Sequence, residues 1–310
     1  MKPVQLVVVG SIGLDTIETP DAKKEEILGG SVSYACASAS FFTPSGMVGV
    51  VGSDFPEPCL DVYRQFGIDL QGLQKSHGKT FRWSGIYEQD MNNRRTLATE
   101  LNVLATFMPE LPDDYARAPF LFLANISPEL QLHVLSQVKS PRFVAADTMD
   151  LWINIALKPL RDVISAVNLL TLNESEARLL AGENNLVRAA KKILGWGPQY
   201  VIIKKGEHGA MLFSKTGIFV VPAYPLEIVH DPTGAGDTFA GGLMGALSER
   251  GEVSEAAICQ AMGYGSVVAS FGVEDFSLGR LLKLSRPEIN HRFNSFRRLT
   301  HFDALPGTLT

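Results

Sequence analysis

Short β-branched runs that end in turns, alternating with stretches of helical spacing, constrain this chain more than any other feature. Val4–Val9 is a continuous apolar run that stops at Gly10, as a strand buried on both faces of a parallel sheet requires. Similar runs recur at Met47–Val51, Phe120–Leu123, Phe143–Ala146, Val167–Leu172 and Tyr200–Ile203. Helical spacing lies between them, as at Glu129–Val138 and Leu186–Leu194. This alternation predicts an α/β fold with a doubly wound, mostly parallel sheet flanked by helices. Ligands of such sheets bind beyond the carboxyl ends of the strands, so the loops there hold the functional candidates.

Two segments break the rhythm. Residues 12–28 are polar, with stretches that alternate apolar and polar positions, and residues 80–104 are rich in Thr, Tyr, Trp and Arg around a turn-prone centre. They are expected as antiparallel strands outside the main sheet, forming a small β lid. An ordinary surface hairpin is the plainer alternative. No linker or repeat divides the 310 residues, so one domain is expected over 1–310. A net charge of -5 offers no basic surface for a nucleic acid. The basic stretch Arg286–Arg298 reads as a solvated helix. Three cysteines without a CxxC pair argue against a disulfide framework and a zinc site, and suggest a cytoplasmic protein. The N-terminal apolar run is too short to span a membrane.

The segment Asp231–Gly242 (DPTGAGDTFAGG) holds the chemistry. A glycine-rich turn runs into a helix expected from about Asp237, with Ala240, Gly241 and Gly242 along its first turns. Glycines let several N–H groups point at one spot, and the helix start adds partial positive charge. That is an anion hole suited to a transferring phosphoryl group. Asp237 at its edge could take a proton from an attacking alcohol; read alone, it could equally be an N-cap.

This stretch resembles the C-terminal signature of the ribokinase/PfkB family of carbohydrate and nucleoside kinases. The resemblance implies a ribokinase-like fold with a β lid and an ATP-dependent transfer to an alcohol of a sugar or sugar-like molecule. A nucleoside acceptor, or a silent ligand-binding protein with the same fold, is the alternative. It implies Asp237 as catalytic base, the amides of Gly234, Ala235 and Gly236 as the anion hole, and Asp231 near a monovalent cation such as K⁺. Gly10–Asp15 matches a strand-end segment whose Asp binds substrate hydroxyls, which falls on Asp15. Gly29-Gly30 matches the family's N-terminal glycine pair. There Tyr34 stands where the family usually has Asn, so the chain resembles an unassigned ribokinase-like subgroup.

Asn173 and Glu176 read as the N-cap and capping-box partner of a helix. In the family the same spacing positions the ATP phosphates and Mg²⁺ through its waters, which implies ATP binding at Asn173 and metal binding at Glu176. Lys204, Gly206 and Gly209 resemble the turn bordering the nucleotide, although a simple hairpin explains that turn as well. Asn125 and Asp147 follow strands and so face the substrate edge. In the lid, Arg82, Tyr87, Asn93 and Arg95 are candidates for a polyol or nucleoside. Lids of this family often serve as dimer interfaces, which implies a homodimer.

Other readings lack their motifs. No Walker P-loop, G-x-G-x-x-G fingerprint, H-E-x-x-H or G-x-S-x-G elbow occurs in the chain.

Overall fold

A computed structural model describes residues 3–91 and 94–301. The chain opens with β1 (Leu6–Val9), β2 (Gly13–Glu18) and β3 (Lys23–Gly29), then α1 (Ser31–Ser40), β4 (Ser45–Val51), α2 (Glu57–Gln65) and β5 (Asp69–Lys75). A hairpin of β6 (Phe81–Tyr87) and β7 (Arg94–Glu100) precedes β8 (Phe120–Leu123), α3 (Pro128–Leu135) and β9 (Phe143–Asp147). Next come α4 (Asp150–Ile155), α5 (Leu157–Ala166), β10 (Leu169–Asn173), α6 (Glu174–Ala181), α7 (Leu186–Leu194) and β11 (Tyr200–Lys204). A second hairpin, β12 (Ala210–Phe213) with β13 (Ile218–Val221), leads to α8 (Ala235–Arg250), α9 (Glu255–Gly272) and α10 (Arg286–Leu299).

Nine strands form the main sheet in the order β13-β12-β11-β10-β9-β8-β1-β4-β5. Pairing is parallel from β11 to β5, and β12 and β13 add an antiparallel edge. The apolar runs are continuous because both faces are covered. Leu6, Val8, Phe120 and Phe122 pack with Val32, Leu243 and Met244 on one side. Val7, Val9, Leu121 and Leu123 pack with Val134, Leu160, Ile164 and Ile193 on the other. Successive strand residues point to opposite faces, so each run feeds two cores. The strand order reverses at β1, which leaves a crevice between the ends of β1 and β8. Ser31 at the start of α1 ties that crevice together. Its hydroxyl accepts from the Ser11 N–H at 3.1 Å and donates to the Asn125 carbonyl at 3.1 Å.

The segments 12–28 and 80–104 pair into a separate four-stranded sheet, β3-β2-β6-β7. Each hairpin is antiparallel, as expected, but β2 and β6 join in parallel. A tight turn forces antiparallel pairing only within its own hairpin, and the long excursion between the segments leaves the joint free to be parallel. Two boundaries and one exposure also differ from expectation. The β10 strand begins at Leu169, with Val167 capping α5. The α3 helix stops at Leu135, where the Ser136 N–H bonds back to Leu132. The α10 helix is not wholly solvated: Ile289, Phe293 and Phe296 are buried. All three cysteines are free, and no described helix is long and apolar enough to cross a membrane.

Candidate active site

The N-terminus of α8 is built by Gly234, whose φ of 72° places it in the left-handed region where glycine carries no Cβ penalty. The helix therefore starts at Ala235, two residues before the expected point, and Gly234 is its cap. Asp237 is thus the third helical residue and not the N-cap. A Cβ on Gly234 would also stand 2.4 Å from the ring of Tyr34, so the turn and the aromatic are fitted to each other. The Ala235 N–H donates to the Pro232 carbonyl at 3.1 Å. Of the three amides expected to form an anion hole, that of Ala235 instead closes the turn, and those of Gly234 and Gly236 are left without a backbone partner among the described residues.

Small residues let α8 lie directly on α1. A Cβ on Gly241 would meet the Ala35 carbonyl at 2.2 Å, and one on Gly245 would meet the Ala39 Cα at 2.8 Å. Ser38 Oγ donates to the Thr238 carbonyl at 2.7 Å, which locks the pair. Two helix N-termini, those of α1 and α8, are thereby brought to neighbouring positions at the carboxyl edge of the sheet.

On the α1 side lies a set of buried polar groups. Among the described residues, three buried side-chain atoms have no hydrogen-bond partner: Asp15 Oδ1, the Tyr34 hydroxyl and Thr148 Oγ1. Buried polar atoms are nearly always paired, so an unpaired set marks a place for a ligand. Asp15 is only 4% exposed. Burial, reinforced by Asp231 and Asp237, pushes its carboxyl up to about 7. Gly29 makes room for it, since a Cβ there would stand 1.9 Å from Asp15 Oδ2. Gly30 has a φ of 93°, and its N–H bonds the same carboxylate. Burial, then Asp231 and Asp15, drives the Tyr34 phenol well above its ordinary value. Tyr87 of β6 reaches the site from the second sheet and accepts a hydrogen bond from Thr233 Oγ1 at 3.1 Å.

Asn125 lies at the end of β8, where its Oδ1 accepts from the Trp152 indole at 2.9 Å and its amide approaches Met149 Sδ at 3.0 Å. Arg82 is not brought to these groups. Its guanidinium pairs with Glu26 at 3.0 Å and Asp54 at 2.9 Å, tying β6 to β3 and to the turn after β4. Arg95 is exposed, and Asn93 falls outside the described residues. The arginine nearest the site is Arg94, whose charge acts on Asp15, Tyr87 and Asp237. Arg94 is exposed like the rest of β7, so it reaches these groups through its charge and not by burial.

On the other side of Gly236 is a compact charge cluster. Lys204, at the end of β11, pairs with Asp147 of β9 at 2.6 Å, and a Cβ on Gly236 would meet Lys204 Nζ at 3.2 Å. Asn173 and Glu176 form a reciprocal capping box. The Asn173 N–H donates to Glu176 Oε2 at 2.7 Å, and Asn173 Oδ1 accepts from the Glu176 N–H at 2.8 Å. Burial pushes Glu176 up to about 7 against the opposing charge of Lys204. Burial and Asp147 do the same to Asp237, again to about 7. Asp231 is buried apart from this cluster and accepts the Thr233 N–H at 2.9 Å; burial raises it too.

A cavity of about 480 Å³ opens from this cluster and is lined by Lys204, Gly206, Gly209, Tyr224, Gly236 and Phe239 among others. Asp90 and Met91, from the turn between β6 and β7, also line it. Gly206 and Gly209 have φ of 54° and 88° and bracket a 3-10 turn closed by the Lys205 N–H to Gly209 carbonyl bond at 2.7 Å. The turn closes the β11–β12 hairpin, as the plainer reading expects, and it also lines the cavity. Tyr224 and Phe239 had no sequence signal, because single aromatics in a loop and a helix look like ordinary core.

A glycine-built helix start, a carboxylate in its first turn and an adjoining cavity at the carboxyl edge of the sheet are the arrangement of a ribokinase-like phosphotransferase. The model of the pfkB family carbohydrate kinases matches residues 5–279, and the chain belongs to that family. Its members phosphorylate hydroxyl groups of sugars and nucleosides. A cytidine kinase of Thermococcus kodakarensis is 33% identical over 255 residues, which cover 79% of this chain and 89% of that protein. The Burkholderia thailandensis nucleoside kinase, solved in complex with inosine, superposes with a TM-score of 0.77 at 21% identity, covering 94% of this chain and 97% of that one. A Giardia lamblia ribokinase gives a TM-score of 0.79 at 19% identity over 95% and 100% of the two chains. A putative ribokinase II from E. coli in complex with ATP and Mg²⁺ gives 0.76 at 18% identity over 94% and 99%.

Proposed function

We propose that this protein is a nucleoside kinase, with cytidine or a related pyrimidine nucleoside as acceptor and ATP·Mg²⁺ as donor. The observation that carries the proposal is the unpartnered pair of Asp15 Oδ1 and the Tyr34 hydroxyl beside the Gly234–Asp237 turn. A carboxylate can accept both hydroxyls of a ribose diol, and burial makes a missing partner costly, which gives strong selection for that group. Tyr34 replaces the small amide expected there with a ring, and Tyr87 and Trp152 add aromatic surface nearby. Aromatic faces suit a base, whereas a free pentose would gain little from them. The cytidine kinase relative supports the same acceptor class.

Asp237 accepts the proton of the attacking hydroxyl, and a carboxyl held near 7 is well matched to that task at neutral pH. The free amides of Gly234 and Gly236 hold the negative oxygens of the transferring group, with Lys204 adjoining them. The carboxylates of Glu176 and Asp147, facing one ammonium, leave excess negative charge that fits Mg²⁺ held through water. When bound, that ion neutralises charge on the phosphates. Asp231, buried and raised by its burial, is the group we assign to a monovalent cation such as K⁺. The second sheet acts as a lid, and Asp90 and Met91 at the cavity edge support closure over the donor. A homodimer through that sheet remains part of the proposal.

The test is ADP release with ATP·Mg²⁺ against pyrimidine and purine nucleosides, their monophosphates, pentoses, hexoses and polyols. Stimulation by cytidine or uridine well above that by any free sugar is expected. Stimulation by one sugar and by no nucleoside would overturn the acceptor assignment. No ADP release above background with any acceptor, in wild type as in Asp237→Asn, would instead mean a ligand-binding protein.

A further inference from the structure

The family match ends at residue 279, and α10 (Arg286–Leu299) lies wholly beyond it. This helix nevertheless braces the cavity next to the anion hole. Arg292 Nη1 donates to Ser270 Oγ at 3.0 Å, and Nη2 donates to Glu274 Oε1 at 2.7 Å. Its guanidinium lies 3.3 Å from the ring centroid of Phe271 and 5.0 Å from that of Tyr224. Ser270 and Tyr224 both line the cavity. The Ser270 hydroxyl already donates to the Val267 carbonyl at 2.7 Å, so its remaining role is to accept from Arg292. Phe296, one turn further along α10, packs its ring 6.1 Å from that of Tyr224. Arg280 completes the clamp by pairing with Glu274 at 3.1 Å over the other contact with Phe271.

We propose that Arg292 is a positioning residue for the phosphoryl donor, fixing Tyr224 and Ser270 so that the cavity wall keeps the width of the donor's base. This rests on the reading of the cavity as the donor site. Arg292 does not need to touch the nucleotide. A planar guanidinium that stacks on one ring, faces a second and forks to a hydroxyl and a carboxylate holds four groups in register, which lysine cannot reproduce. Preorganisation of a wall shows in binding of the ligand it faces and not in the chemical step.

The test compares steady-state kinetics of wild type, Arg292→Met, Arg292→Lys and Ser270→Ala, with folding checked by circular dichroism. Arg292→Met is expected to raise the KM for ATP about tenfold, with kcat and the acceptor KM within about twofold. Arg292→Lys should fall between, and Ser270→Ala, which leaves the Glu274 pair intact, should raise the ATP KM by about threefold. The ratio of KM values for ATP and GTP should narrow in Arg292→Met, because a looser wall discriminates less. An unchanged ATP KM in folded Ser270→Ala and Arg292→Lys would overturn the proposal, as would equal changes in both substrates' KM values. ATP titrated calorimetrically into wild type separates the failures. No binding there would remove the donor site itself, whereas equal binding to wild type and variants would remove only the role of Arg292.

Discussion

The Lys204 ammonium lies 2.6 Å from the Asp147 carboxylate, and a side chain on Gly236 would come within 3.2 Å of the same nitrogen. One buried cation thus serves two purposes. It neutralises a carboxylate at the end of β9, and it stands beside the first turn of α8. Three carboxylates, Asp147, Glu176 and Asp237, feel its charge.

Removing this cation leaves Asp147 buried and alone. Lys204→Met should destabilise the fold by about 3–5 kcal/mol, the usual cost of orphaning a buried ion. Adding Asp147→Leu should recover most of that loss, because the pair is then replaced by apolar groups. Chemical denaturation of the single and double variants is the measurement. A double variant no more stable than Lys204→Met would show that the ion pair is not the source of the effect.

Activity should follow the ionisation of Asp237. The base works only when deprotonated, and its carboxyl is held up at about 7. We therefore expect kcat/KM to fall at least about tenfold per pH unit below that value, more steeply where Asp15 and Glu176 are protonated too, and to level off above it. A profile flat down to pH 5 would contradict the assignment of Asp237 as base.

Asp15 should cost stability in return for function. Its folded value of about 7 lies above the ordinary 3.8. Below the ordinary value both folded and unfolded chains hold the proton. As pH rises from there to about 7, the unfolded chain releases it first, so folding stability falls across that window and stays lower above it. Asp15→Asn should thus gain more in Tm over wild type at pH 8 than at pH 4, while binding of the acceptor is lost. A Tm difference independent of pH would count against the raised carboxyl.

Gly29 tests the fit around that carboxylate. A methyl group there would stand 1.9 Å from Asp15 Oδ2, so the carboxylate must move. Gly29→Ala should raise the acceptor KM by about tenfold or more and leave the ATP KM unchanged, with about 1–3 kcal/mol of overpacking strain. Equal effects on both substrates would point to general disruption of α1.

The sequence by itself determined the layered sheet, because runs such as Val4–Val9 and Phe120–Leu123 can be satisfied only between two cores. It also determined the glycine-rich start of α8 and the Asn173–Glu176 capping box, since both depend on residues a few positions apart. Local spacing encodes local backbone chemistry. Tertiary structure alone decided what crosses long stretches of chain. The Lys204–Asp147 pair spans 57 residues, and the contact of Arg292 with Tyr224 joins α10 to the loop after β13. It also tied Arg82 to Glu26 and Asp54 and set the charge of Arg94 to act on Asp237. The partner of a buried charge is set by the packing of the whole molecule. The start of α8 could therefore be read from the twelve residues Asp231–Gly242, while the walls of the cavity beside it could not.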